Sequence, residues 1–213
     1  MIRVQPAPEP EHFDAAVRQP GLRALAEMVG EPSGRKRGRS FKVIAERRED
    51  ISGEHFPPYW SKVIPDLLEA YGRVCAYVAV YIEKVTGAAS VDHLLAKSKH
   101  WQDAYEWSNY RLACSLMNAR KGNAADVLDP FEIADDWFEL ELVGFQVMPN
   151  TDLQSDLQVR VQDTIDRLKL NDRDCCELRA EYAESYWCGE INWPYLQRRA
   201  PFVARQMERQ GRC

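Results

Sequence analysis

The clearest periodicity lies in the last third of the chain. In LQSDLQVRVQDTIDRLKLN the apolar residues Leu153, Leu157, Val161, Ile165 and Leu168 recur every three or four positions, which is one stripe of an amphipathic helix. RDCCELRAEYAESYWCGE and YLQRRAPFVARQMERQ continue as helices. Just upstream, DDWFELELVGFQVMP alternates Phe138, Leu140 and Leu142 with acids and predicts a short β segment. The middle of the chain reads differently. VCAYVAVYIEKVTGAASVDHLLAKS is dense in β-branched and aromatic residues and holds the turn VTGAA, so it predicts a hairpin between Val74 and Leu95. YEWSNYRLACSLMNARKG predicts a loop and then a helix beginning near Cys114, with Leu112, Leu116 and Ala119 on one face. KVIPDLLEAYGRVCAYV predicts a helix ending near Gly72, after the break FPPYW. PGLRALAEMVG predicts a helix from Leu22 to Val29, with Pro20 ahead of it and Gly30 as its stop. The Pro- and Glu-rich residues before it read as an arm, or as a stretch ordered only by contact. Together these elements predict an α+β fold in three stretches: 1–70, 71–131 and 132–213.

Composition narrows this picture. The chain has 213 residues, 45% of them hydrophobic, which is enough to bury a core. Its formal charge of -5 is the wrong sign for binding nucleic acid by bulk attraction, so any such contact must be a local patch. One basic run exists: Arg35, Lys36, Arg37, Arg39, Lys42, Arg47 and Arg48 against the single acid Glu46. It reads either as a backbone-binding stretch or as a solvated loop. No run of 18 apolar residues is present and the N-terminus has no apolar signal core, so the expectation is a cytoplasmic protein without a membrane contact. The six cysteines are irregularly spaced, which points away from a disulfide framework. Cys175 and Cys176 read as buried helix thiols, and Trp101, Trp107, Trp137 and Trp187 as core. His12, His55 and His100 have no partner pattern.

Candidate chemistry concentrates in SVDHLLAKS and WSNYRLACSLMNARKG. Hydrolysing a phosphodiester takes a base to activate water and a cation to offset developing charge. His93 is a base for near-neutral pH, while Asp92 and Asn118 offer a carboxylate and an amide oxygen to a hard cation such as Mg²⁺. Adjacent strand residues point to opposite faces, so Asp92 would face the cation and His93 the water. Asn109, in the loop, would hold that loop or the imidazole in place. Lys97, Arg111, Arg120 and Lys121 are candidate phosphate contacts; the alternative is a solvated face, with a salt bridge to Glu106 for Arg111.

The order Asp-His, Lys-Ser, Asn and Asn-x-x-Lys-Gly resembles the HNH endonuclease family, the ββα-metal or His-Me finger fold, over about Arg73 to Phe131. YEWSNYRLAC resembles a subgroup found beside ATPases in bacterial anti-phage systems. The resemblance implies a small ββα-metal core at 71–131, embedded in flanking, mostly helical segments. It makes His93 the general base, Asn109 the middle asparagine, and Asp92 and Asn118 the ligands of Mg²⁺ or Mn²⁺. It further implies cleavage of nucleic acid, with DNA favoured and RNA left open, and an antiviral role beside an ATPase partner. One departure stands out. Many relatives carry two CxxC pairs that bind a structural zinc, and here Val78 and Met117 replace the second cysteine of each, leaving Cys75 and Cys114. No structural zinc is expected, and Val78 and Met117 should pack as apolar side chains. Two other readings stay open: a catalytically silent HNH-like module that binds nucleic acid or a partner, and a helical adaptor whose motif is accidental.

Overall fold

Phe13 and Val17 have no exposed surface, although they follow a stretch rich in Pro and Glu. The computed structural model describes residues 1–34 and 38–213 and accounts for this. The N-terminal arm runs back across the middle of the molecule. Val4 N–H donates to Pro130 O at 2.8 Å, and the Trp107 indole donates to Ala7 O at 2.9 Å. A π-helical turn, Asp14–Arg18, leads into α1 (Gln19–Met28), so helix begins well before Leu22. Its side chains settle the difference: Phe13 packs edge-on against Trp107 and Tyr110, both at 5.7 Å. Of the basic run, Arg35, Lys36 and Arg37 lie outside the described residues. Arg47 pairs with Asp50, and Arg48 pairs with Glu31 and lies over Trp101.

A 3-10 turn, Tyr59–Val63, continues into α2 (Ile64–Ala70), which ends close to the predicted Gly72. Residues 74–82 then depart from the expectation of a hairpin strand. They make only an isolated bridge, Val74 to Tyr81, around a tight turn in which Ala79 N–H donates to Cys75 O and Ala79 adopts φ 54°. This stretch is apolar because it is enclosed from all sides: Cys75 to Val80 are all buried. Its composition reports burial, which a strand and a packed turn share.

The strands that do pair are β1 (Ala89–His93) and β2 (Tyr110–Cys114), antiparallel, with Val91 opposite Leu112, Asp92 opposite Arg111 and His93 opposite Tyr110. The predicted helical face through Leu112, Leu116 and Ala119 is therefore corrected. Leu112 is a strand residue, Leu116 is exposed, and α3 starts only at Ser115 (Ser115–Lys121), burying Met117 and Lys121. A hairpin followed directly by a helix is the result, α3 packing on both strands.

The C-terminal third follows its pattern closely. β3 (Phe138–Leu140) pairs with β4 (Val147–Pro149), and α4 (Ser155–Leu168) buries Val161, Ile165 and Leu168. α5 (Arg173–Trp187) buries Arg179, whose guanidinium donates to Phe145 O at 2.9 Å and Leu170 O at 2.7 Å. The last helical run divides into α6 (Trp193–Arg199) and α7 (Pro201–Arg209), because Pro201 has no N–H to continue the ladder. Trp107 is buried as expected, whereas Trp187 is 45% exposed. The chain is thus a mixed α+β protein, and one hydrophobic core draws side chains from all three sequence stretches, Phe13, Tyr110 and Ile165 among them. Among the described residues no helix is long and apolar enough to cross a membrane.

Candidate functional site

β1 ends at the Asp-His pair, and the strand's alternation sends the two side chains to opposite faces. Asp92 turns toward α3 and the 74–82 turn. One carboxylate oxygen accepts from Lys121 Nζ at 3.1 Å and the other from the Tyr77 hydroxyl. Lys121 also donates to His93 O at 2.8 Å. Asp92 and Lys121 are 2% exposed each, so this is an ion pair removed from water. Burial pushes the Asp92 carboxyl up, against the pull of the Lys121 ammonium.

His93 faces the other way. Its Nε2 lies 2.9 Å from Ala104 O, and its ring meets Trp60 and Tyr110 edge-on at 4.7 and 5.1 Å. A carbonyl oxygen can only accept, so Nε2 carries the proton and Nδ1 keeps its lone pair. Among the described residues no hydrogen bond occupies Nδ1. Burial, and then the Lys97 charge, lower the His93 pKa to about 4, so the imidazole is neutral at pH 7. Trp60 also receives Lys97, whose Nζ sits 5.0 Å from the ring centroid.

The two asparagines are scaffold in this arrangement. Asn109 ties the loop after β1 to the start of β2: Oδ1 accepts from Leu95 N–H at 2.7 Å, and Nδ2 donates to Leu95 O at 3.1 Å and Asp103 O at 2.9 Å. It thereby fixes the segment that presents the Ala104 carbonyl to His93. Asn118 lies on the Asp92 side of the hairpin, donating from Nδ2 to Ser90 Oγ and Val91 O, both at 3.2 Å.

These contacts decide how well the donors suit a divalent cation. Asp92 and Asn118 lie on the same side of the hairpin. Both Asp92 oxygens, however, are engaged, and Asn118 offers its amide hydrogens to the strand. The Lys121 ammonium already neutralises Asp92. As arranged, these residues do not fit a divalent ion, which would first have to displace Lys121.

Three of the four candidate phosphate contacts are corrected. Arg111 is 3% exposed and forms a two-armed pair with Asp129 at 2.7 Å for each arm, under the Phe131 ring. Its partner is Asp129, since Glu106 is held by Arg18. Arg120 pairs with Asp172 and donates to the C-terminal carbonyls of α4, Leu168 O at 3.1 Å among them. Lys121 is the buried partner of Asp92. Each of these three cations is already paired with an acid of the chain itself. Lys97 alone of the four has no salt bridge among the described residues, and it is half-buried beside His93.

Sequence reasoning missed Tyr77, Trp60 and the Ala104 carbonyl. Each lies outside the matched positions, and only folding brings it to the pair. Val78 and Met117 are buried in the core, as expected of apolar replacements. No family model matches the chain, and no curated protein matches it.

Proposed function

We propose that the chain is a nuclease of the HNH type that hydrolyses phosphodiester bonds, with DNA the favoured substrate. The observation that carries this reading is the His93 imidazole: neutral at pH 7, with Nε2 committed to Ala104 O and Nδ1 left as the proton acceptor. A base must be deprotonated before it can take a proton from water, and its orientation must be fixed beforehand. Trp60 sets His93 and Lys97 side by side, so an ammonium stands next to the base where a phosphate would be held. The hairpin-plus-helix order of β1, β2 and α3 supports the same reading, in which they are a ββα core. No step is assigned to a metal ion, because Lys121 occupies the Asp92 carboxylate. A defence role and an ATPase partner rest on the sequence resemblance alone.

A second reading is favoured by one observation. The closed Tyr77–Asp92–Lys121 set is what a silent module would have, with the acid serving stability and Lys97 serving only to bind. Plasmid nicking by the purified chain separates the two. We expect nicked circles that disappear in His93→Ala. Equal nicking by wild type and His93→Ala would remove His93 from the chemistry. DNA retention without nicking, lost in Lys97→Ala, would establish the silent module instead.

A further inference from the structure

Cys75 and Cys114, 39 positions apart, meet beside the hairpin, where Cys114 N–H donates to Cys75 Sγ at 3.4 Å. Cys75 lies in the tight turn of residues 74–82 and is 1% exposed; Cys114 is the last residue of β2 and is partly open to solvent. We propose that this pair is a reversible redox site, in which a hydroperoxide oxidises Cys114 and Cys75 resolves it to a Cys75–Cys114 disulfide.

The geometry allots the roles. Oxidant reaches the outer thiol first, and the inner one is already in contact with it. The charge environment agrees: hydrogen bonding from Cys75, and from the Leu116 and Met117 backbone, lowers the Cys114 pKa to about 6, while burial pushes the Cys75 thiol well up. The lowering favours the Cys114 thiolate, the form that attacks peroxide. Its sulfur attacks the outer peroxide oxygen; the O–O bond breaks, an alcohol or water leaves, and Cys114 becomes a sulfenic acid. Cys75 sulfur then attacks Cys114 sulfur. The S–S bond forms, the S–O bond breaks, and hydroxide leaves as water with the Cys75 proton. Two thiols have lost two electrons to one peroxide, and a dithiol returns them by exchange.

The position gives this chemistry a consequence. Tyr77, two residues after Cys75, donates to Asp92, and α3, which starts right after Cys114, carries Lys121 and Asn118. A disulfide would fasten together the two segments that supply the partners of Asp92. This inference does not depend on the nuclease reading.

The test uses the full chain. Hydrogen peroxide is added to the native protein, remaining thiols are alkylated, and peptides are mapped by mass spectrometry without reduction. We expect a peptide joining Cys75 to Cys114, removed by dithiothreitol, and a Cys75→Ser variant in which Cys114 persists as a dimedone-trapped sulfenic acid. Recovery of both as free thiols in the wild type, while the exposed Cys188 and Cys213 are oxidised, would overturn the proposal. So would linkage of Cys114 mainly to Cys188 or Cys213.

Discussion

At neutral pH the His93 imidazole carries no charge, and the cost of charging it appears in stability before it appears in any reaction. Burial holds the folded pKa at about 4, while a solvated histidine titrates near 6.5. Between those values the unfolded chain binds a proton that the folded chain refuses. Stability therefore rises with pH across this window and is lost as pH falls through it, by up to about 3 kcal/mol. Urea unfolding measured from pH 7 to pH 4 should show that loss, and His93→Gln should flatten it. A wild-type curve no steeper than that of the variant would mean that the imidazole is solvated. The same burial explains why the residue scale was only partly legible in sequence. The types at Asp92, His93, Asn109 and Asn118 were readable, as was the opposite facing of the first two. The commitment of Lys121 to Asp92 was not, because an "NARKG" run looks the same whether its lysine points to solvent or into an acid.

Elements were legible where one face packs and the other is wet. α4 and β3 match their patterns for that reason, although Leu142 lies beyond the strand. The pattern misled between 74 and 114. A turn enclosed on all sides reads like a strand, and a strand buried on both faces, as Tyr110 to Ala113 are, lacks alternation. Packing between elements also leaves a mark that sequence hides. Gly21 of α1 lies so close to Tyr105 that an added Cβ would fall 2.3 Å from ring carbons. Tyr105 in turn stacks near Phe56 and Trp60, and it is the neighbour of Ala104, whose carbonyl fixes His93. Gly21→Ala should therefore cost about 1–3 kcal/mol by overpacking, and more if α1 cannot slide. It should also shift the His93 ring resonances in an NMR spectrum. A variant with unchanged stability and unchanged resonances would show that α1 and the 101–109 loop are uncoupled.

Across the whole molecule, the three stretches legible in sequence share a core. Phe13 from the first packs on Trp107 and Tyr110 from the second, and α4 from the third packs on α3. Phe13→Ala removes a fully buried ring and should cost about 3–5 kcal/mol. Because the core is continuous, the loss should lower one common unfolding transition. Fluorescence and circular dichroism should give coincident midpoints in wild type and variant alike. Separate midpoints would mean that the stretches unfold independently.

The N-terminal arm has a further consequence, one of timing. Val4 finds its partner at Pro130 and Ala7 finds Trp107, so the arm, once synthesised, waits for partners made a hundred or more codons later. At roughly 5–20 residues per second that wait is on the order of ten seconds. During it, Phe13 and Val17 have no interior to enter. A holding chaperone, or a pause in translation, would find its opportunity there.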